Sequence, residues 1–295
     1  MQPQPVWTKL ISAIVPVAGF PNGTSQIDTW AKSRSLSNFE IIFVNDSDDI
    51  QVEKKLQEIA LNLRETSKVK VVKSQCRNPG GSRNLGLSIA QGSWIVFWDC
   101  DDIPNPPKVV EMIVRADNSG SDVTLGDFQI LNSTSAKVTL KERSNRQNPL
   151  ESVAINPGLW RFAFKSELLN TTRFPEISMA EDQIFLADIL SKSANLSSFQ
   201  EVVYEYWDHP SGQLTKNQSK IGQLNTAIDY FYEKYKATKC LPFLIVIIRL
   251  TATVFKKSNS TERFVAFSKL IKFVAAQPWE IRNIMLSILR IWRSR

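Results

Sequence analysis

RNPGGSRNLGLSIAQGSWIVFWDCDD, residues 77–102, is the stretch from which the remainder of the chain becomes readable. Pro79-Gly80-Gly81 is a turn signal, because paired glycines tolerate backbone angles that other residues avoid. Leu85, Ile89 and Ala90 are spaced for one face of a short helix, and Gly92 is placed to cap its C-terminus. Trp94-Ile95-Val96-Phe97-Trp98 is an unbroken apolar run, too short for a helix of its own, and predicts a fully buried strand. Asp99, Asp101 and Asp102 follow where that strand emerges. Open α/β sheets bind ligands at the carboxyl ends of their strands. Carboxylates placed there suit a hard cation such as Mg²⁺ or Mn²⁺, whose shell is completed by substrate phosphates. The same acids also suit a solvated turn or a helix cap, so their surroundings matter.

Upstream, residues 10–17 (LISAIVPV) predict a first strand and residues 18–25 (AGFPNGTS) a loop. A helix over 27–36 follows, with Ser25 as its capping candidate. EIIFV (40–44) predicts a second strand that runs straight into Asn45-Asp46-Ser47-Asp48-Asp49. Leu56, Ile59, Ala60 and Leu63 mark the apolar face of a helix over 52–63, and VKVV (69–72) is a third strand. This alternation implies right-handed crossovers and a parallel sheet with helices on both faces. Downstream, Pro106-Pro107 can open a helix over 109–116. Residues 122–132 read as a strand, 137–149 as a polar connection, 159–164 as an aromatic-rich strand and 184–190 as a helix. A last strand over 202–207 leads into Asp208-His209-Pro210, and beyond about residue 219 every signal is helical.

The 295 residues, 43% hydrophobic and 10% aromatic, suffice for one large α/β domain with an appendage and argue against wholesale disorder. The net charge of +7 is unevenly placed: from Lys216 onward 15 Lys and Arg stand against 4 Asp and Glu, whereas residues 1–215 hold 21 against 25. Such asymmetry predicts a near-neutral domain over 1–215 and a basic helical region over 216–295. Cys76, Cys100 and Cys240 lack metal-ligand spacing, and their odd number argues against a disulfide framework, which suits a reducing cytoplasm. MQPQPVWTKL lacks the apolar run of a signal peptide, and the longest apolar run, 241–248, stops at Arg249, far short of a membrane span.

Several motifs, in order over roughly residues 8–215, resemble those of the inverting nucleotide-sugar glycosyltransferases of family 2. Ile14-Val15-Pro16-Val17 is similar to the family's opening strand, and residues 40–49 resemble its second strand with a terminal acidic pair. Ser82-Arg83-Asn84-Leu85-Gly86, within 80–92, is close to the family's Gly-x-x-Ala-Arg-Asn-x-Gly signature. Residues 98–102 look like its Asp-x-Asp-Asp motif, Glu181-Asp182 matches its Glu-Asp pair, and 206–215 resembles its aromatic, His and Ser segment. There are departures: Asn45 replaces a usual Asp, Ser47 a usual Gly, and Ala18-Gly19 a usual Tyr-Asn. The resemblance implies an α/β fold of GT-A type, a Rossmann-like, mostly parallel sheet flanked by helices, here with a C-terminal helical extension. It implies a nucleotide-sugar donor, by family habit a UDP-sugar, contacted by Pro16, Val17, Asn45, Asp46, Arg83 and Asp101. It further implies a divalent cation, Mn²⁺ or Mg²⁺, held by Asp101, Asp102 and His209, with Asp99 in support. Asp182 is then the catalytic base, taking the proton of the acceptor hydroxyl in a single displacement that inverts the anomeric centre. The acceptor so implied is a glycan or a lipid-linked molecule of surface polysaccharide synthesis.

Each residue also admits a plainer role. Glu181 and Asp182 suit the N-terminus of a helix, Arg83 a salt bridge on a helix surface, Asp46 and Asn45 a turn, and Trp160 either core packing or a sugar platform. A sugar-phosphate nucleotidyltransferase is the chemical alternative, but its Gly-rich loop after the first strand would carry Lys or Arg, and residues 18–25 have neither. A non-catalytic glycan-binding or scaffold protein would not need Asp101, Asp102 and Asp182 together. In the tail, Phe264, Phe267, Leu270, Ile271 and Val274 have helical spacing, as do Ile281, Ile284, Met285, Ile288, Leu289 and Trp292, flanked by Arg282, Arg290, Arg293 and Arg295. A basic amphipathic helix suits an anionic membrane surface, here the inner face reached from the cytoplasm. The alternative is that these helices only pack on the catalytic domain. Nucleic acid is not an expected partner, because no recognised module accompanies the charge.

Overall fold

The computed structural model describes residues 9–20, 23–132, 135, 138–142, 149–192, 195–208, 221–276 and 278–293. Strands β1 (Ile11–Val17), β2 (Phe39–Asn45), β3 (Lys68–Lys73) and β4 (Trp94–Phe97) lie in the order β3-β2-β1-β4 and pair in parallel throughout. Helices α1 (Ser25–Trp30), α2 (Ile50–Leu63) and α3 (Pro79–Ile89) make the crossovers. β2 is buried along its whole length and β1 at all positions but Pro16, which is why these strands read as unbroken runs of Ile, Val and Phe. Asp49 caps α2 by accepting from the Gln51 N–H at 2.8 Å, and Asn78 caps α3 through the Gly81 N–H at 2.7 Å.

Beyond β4 the sheet becomes mixed. The elements are β5 (Ile103–Pro104), α4 (Pro106–Asn118), β6 (Val123–Asn132), β7 (Val138–Glu142), α5 (Pro149–Ile155), β8 (Phe162–Lys165), α6 (Glu181–Leu190) and β9 (Leu196–Asp208). β8 runs antiparallel between β4 and β6, β9 runs parallel to β6, and β5 runs antiparallel to β9. The full order is β3-β2-β1-β4-β8-β6-β9-β5, with β7 paired to β6. The parallel expectation therefore holds for the first four strands, and antiparallel pairings enter after them.

Local expectations shift in several places. The helix expected over 27–36 stops at Trp30 and is followed by a 3₁₀ turn, Arg34–Asn38. The polar connection over 137–149 contains β7, and the strand expected over 159–164 divides into a 3₁₀ turn, Leu159–Arg161, and β8. The glycines of the opening stretch serve close approach and do not make a turn. Gly80 and Gly81 lie inside α3, and a Cβ on Gly80 would sit 3.1 Å from Phe174 Cβ and 3.2 Å from Glu181 Cγ. Nor does Gly92 cap α3 in a left-handed conformation: its N–H donates to Ser12 Oγ at 2.8 Å, and a Cβ there would lie 2.4 Å from the Ser12 nitrogen.

The C-terminal region forms α7 (Leu224–Thr238), α8 (Leu241–Lys257), α9 (Ser260–Ala276) and α10 (Ile281–Arg293). Its apolar cluster, with Phe231, Leu244, Ile247 and Val254, also takes in Ala154 of α5, Met179 and Ala180 before α6, and Ile184 and Ala187 within α6. The boundary expected near residue 215 lies outside the described residues, and the parts before and after it share this cluster. Among the described residues no helix is long and apolar enough to cross a membrane.

Candidate active site

The carboxyl ends of β1, β2 and β4 meet the N-termini of α3 and α6. After β4 the chain leaves the sheet as Trp98-Asp99-Cys100-Asp101-Asp102, anchored by Trp98 packing on Trp30 and Phe39 at ring separations of 5.4 and 5.3 Å. Asp102 is turned inward and is only 1% exposed. Its Oδ2 accepts from the Tyr204 hydroxyl at 3.1 Å and its Oδ1 from the Trp207 N–H at 2.7 Å, both on β9. Tyr204 Oη also accepts from the Asp99 N–H at 3.0 Å, so one tyrosine ties both ends of the acidic turn. Burial, then the like charges of Asp101 and Asp99, push the Asp102 carboxyl well above the usual carboxylate range, against the Trp207 and Tyr204 hydrogen bonds. Asp101 is the more exposed of this adjacent pair.

Trp160 stacks on Tyr204 at 4.5 Å and on Tyr206 at 5.8 Å, so it backs the acidic turn as packing. The sequence reading did not single out Tyr204. Its signal was the alternation Tyr204-Glu205-Tyr206, which puts both tyrosines on one face of a strand.

Arg83, expected to point its fork at the donor, is instead 7% exposed and engaged on both sides. Nη2 donates to Asp99 Oδ1 and Nη1 to Glu181 Oε1, each at 3.0 Å, while the guanidinium lies 5.6 Å from the Phe174 ring centre. A guanidinium this deeply placed needs carboxylates beside it, and these two supply that need. The bridge brings the acidic turn and the Glu-Asp pair, 98 residues apart for Arg83 and Glu181, into one site.

α6 begins on strained backbone. Ala180 has φ +65°, the left-handed region that disfavours a Cβ and costs on the order of 1 kcal/mol. Glu181 follows, 7% exposed; burial, then the charge of Asp182, push its carboxyl up to about 7 against the pull of Arg83. Asp182 is half-buried and accepts from the Gln183 N–H at 2.8 Å. Burial raises its carboxyl, and Arg83, the Gln183 amide and Arg249 oppose that rise. Arg249, on α8, donates through Nη2 to Gln183 Oε1 at 2.5 Å and through Nε to the Ala154 carbonyl at 3.1 Å. The sequence reading took Arg249 only as the end of an apolar run.

At the end of β2, the Asp46 N–H donates to the Val17 carbonyl at 2.8 Å, and its Oδ1 accepts from the Arg77 N–H at 3.0 Å. Val17 pairs in register with Asn45, so the residues expected at the nucleotide (Pro16, Val17, Asn45 and Asp46) are adjacent. Asn45 does not offer its side chain outward: it is 2% exposed and its Oδ1 accepts from the Ser47 N–H at 3.0 Å, fastening the turn. His209, expected as a metal ligand, lies outside the described residues. Among the described residues no three His, Cys, Asp or Glu side chains form a metal-holding group by themselves.

The sequence profile of glycosyl transferase family 2 matches residues 27–182, more than half of the chain, and takes in Asp46, Arg83, the acidic turn after β4 and the Glu181-Asp182 pair. The chain belongs to glycosyl transferase family 2. Within the family it is 27% identical over 184 residues to the poly(ribitol-phosphate) beta-N-acetylglucosaminyltransferase TarS of Staphylococcus aureus, covering 60% of this chain and 31% of TarS. It is 26% identical over 231 residues to a poly(ribitol-phosphate) beta-glucosyltransferase of Bacillus spizizenii, covering 72% of this chain and 36% of that protein. The chain thus spans about a third of the length of these curated relatives. The crystal structure of residues 1–349 of S. aureus TarS with UDP-GlcNAc superposes with a TM-score of 0.68 at 20% identity, over 97% of this chain and 87% of that one. A Pyrobaculum calidifontis mannosyltransferase in complex with GDP-Man and Mn²⁺ superposes with a TM-score of 0.56 at 13% identity, over 98% and 87% of the two chains. Both likenesses establish the family's GT-A fold here, C-terminal helices included.

Proposed function

We propose that this family 2 protein is a metal-dependent, inverting glycosyltransferase that moves a sugar from a UDP-sugar to a hydroxyl of a glycan or lipid-linked acceptor in surface polysaccharide synthesis. The observation that carries this reading is the Asp99–Arg83–Glu181 bridge, which sets an acidic, cation-seeking turn beside a half-buried carboxylate with a raised pKa. The TarS complex with UDP-GlcNAc supports the donor class, the mannosyltransferase complex supports a divalent cation, and the two poly(ribitol-phosphate) transferases support a polymeric acceptor.

Asp99, Asp101 and Asp102 crowd negative charge at one strand end; burial first, and then the like charges of Asp101 and Asp99, raise the Asp102 carboxyl, and a cation there would offset the second of these. Asp101 would hold the cation from the more exposed position, with Asp102 offering its remaining lone pairs and His209 as a further ligand. Few protein ligands plus donor phosphates is how Mg²⁺ and Mn²⁺ are commonly held. Such a cation would neutralise the leaving diphosphate. Val17, Pro16 and Asp46 would receive the nucleoside along the ends of β1 and β2. Asp182 would take the acceptor proton as the oxygen bonds to the anomeric carbon, and the bond to the diphosphate oxygen would break with its electron pair leaving on phosphate. One displacement inverts the centre.

A membrane surface is the proposed setting. Large apolar side chains lie exposed on the last two helices and their connection, among them Phe264 at 70%, Trp279 at 69% and Met285 at 57%, in the region where cations outnumber acids. The enzymatic reading is tested by thermal shift with UDP, UDP-GlcNAc and GDP-Man, each with and without Mn²⁺. A rise with a uridine donor that needs Mn²⁺ and is lost in Asp101→Ala is expected; no response to any of them would overturn the proposal.

A further inference from the structure

We infer that Arg249, on the C-terminal helix α8, is a positioning residue for Asp182, holding the first turn of α6 in place from outside the segment that matches the family. The inference rests on the reading of Asp182 as base given above. Arg249 is itself partly buried, on a helix that buries Ile245, Val246 and Ile247 just before it and Leu250 and Thr251 just after. Among the described residues its hydrogen bonds go across the seam, to Gln183 Oε1 at 2.5 Å and to the Ala154 carbonyl at 3.1 Å. Gln183 then faces two ways. Its side chain is held by Arg249, and its backbone N–H holds Asp182 Oδ1 at 2.8 Å.

The charges around Asp182 distinguish Arg249 from a generic brace. Arg83 from α3, Glu181 from the same turn, Asp99 from the turn after β4 and Arg249 from α8 all act on it or on its neighbour. Arg83 is already shared between two carboxylates at 3.0 Å each. Both hydrogen-bond partners of Arg249 are neutral oxygens, so its charge is spent on no other acid through those bonds and acts on Asp182. Burial pushes the Arg249 guanidinium down to about 10, which still leaves it charged at neutral pH.

The experiment is a carboxyl ¹³C NMR titration of the whole chain labelled at aspartate, with the Asp182 signal assigned by its loss in Asp182→Asn. Arg249→Gln is expected to move the Asp182 midpoint to higher pH, and Arg249→Lys to return it most of the way. A folded Arg249→Gln protein with an unchanged midpoint would overturn the inference. If Arg249→Gln does not fold, Gln183→Met, which removes the side-chain link but keeps the charge, is read instead: an upward shift supports the positioning role and an unmoved midpoint refutes it. Because this readout needs no substrate, it is separate from the base assignment. Transfer persisting in Asp182→Asn would sink that assignment, whatever the titration gave.

Discussion

Asp182 and Glu181 carry the first predictions. A general base contributes about 10²–10⁴-fold to rate, so Asp182→Asn is expected to cut sugar transfer by that order while UDP-dependent thermal stabilisation persists. If Asp182 is the base proposed above it works unprotonated, and burial raises its carboxyl, so transfer should fall as pH drops through a midpoint above the ordinary carboxylate range. A pH–rate profile still flat at pH 4 would contradict this. Glu181 gives the complementary sign in stability. Its folded pKa, about 7, exceeds the ordinary 4.5, so its contribution is fully present below pH 4.5 and is lost as pH rises through 7. Glu181→Gln should therefore flatten the stability–pH curve between those limits, as read by denaturant midpoints across pH. Tyr204→Phe removes the hydroxyl shared by Asp102 and Asp99; a loss of about 1–2 kcal/mol is expected, together with weaker Mn²⁺-dependent UDP binding.

Packing between elements explains both what the sequence disclosed and what it hid. β1, β2 and β4 were legible because they are covered on both faces and so are apolar without interruption. β9 was seen only from residue 202 because its first half, LSSFQE, is mostly polar, although it pairs with β6 from Leu196 onward. The acids of the site were legible as motifs. Their partners Tyr204 and Arg249 were not, since both act through contacts some hundred and some seventy residues away in sequence. The glycines were noticed for the wrong reason. A Cβ on Gly86 would lie 2.4 Å from Ile14 Cγ2, so Gly86→Ala must push α3 off β1. An overpacking cost of about 1–3 kcal/mol is expected in urea unfolding, with reduced activity because the same helix carries Arg83.

For the molecule as a whole, charge and exposed apolar surface coincide. Ile281, Met285, Ile288 and Leu289 on α10 are exposed beside Arg282, while Ser287, at the back of the helix, is fully buried. This face of α10 was legible from residue spacing; whether it met solvent or the core was not, because periodicity marks an apolar stripe without saying what covers it. The paired change Ile281→Asp and Met285→Asp should lower binding to phosphatidylglycerol vesicles at least about tenfold in a flotation assay, since two apolar contacts together exceed 1.4 kcal/mol. Equal flotation of the altered and unaltered chains would refute membrane docking through this face.

The core shared by α5, α6 and the C-terminal helices bears on how such enzymes can be recombined. Met179, Ala180, Ile184 and Ala187 pack into the same cluster as Phe231 and Ile247, and Arg249 crosses that seam to Gln183. A chimera that keeps residues 1–215 but takes its C-terminal helices from a relative would exchange one side of the cluster on which α6 packs. A domain swap would therefore have to carry the residues lining both sides of this seam to keep the packing around Gln183 intact.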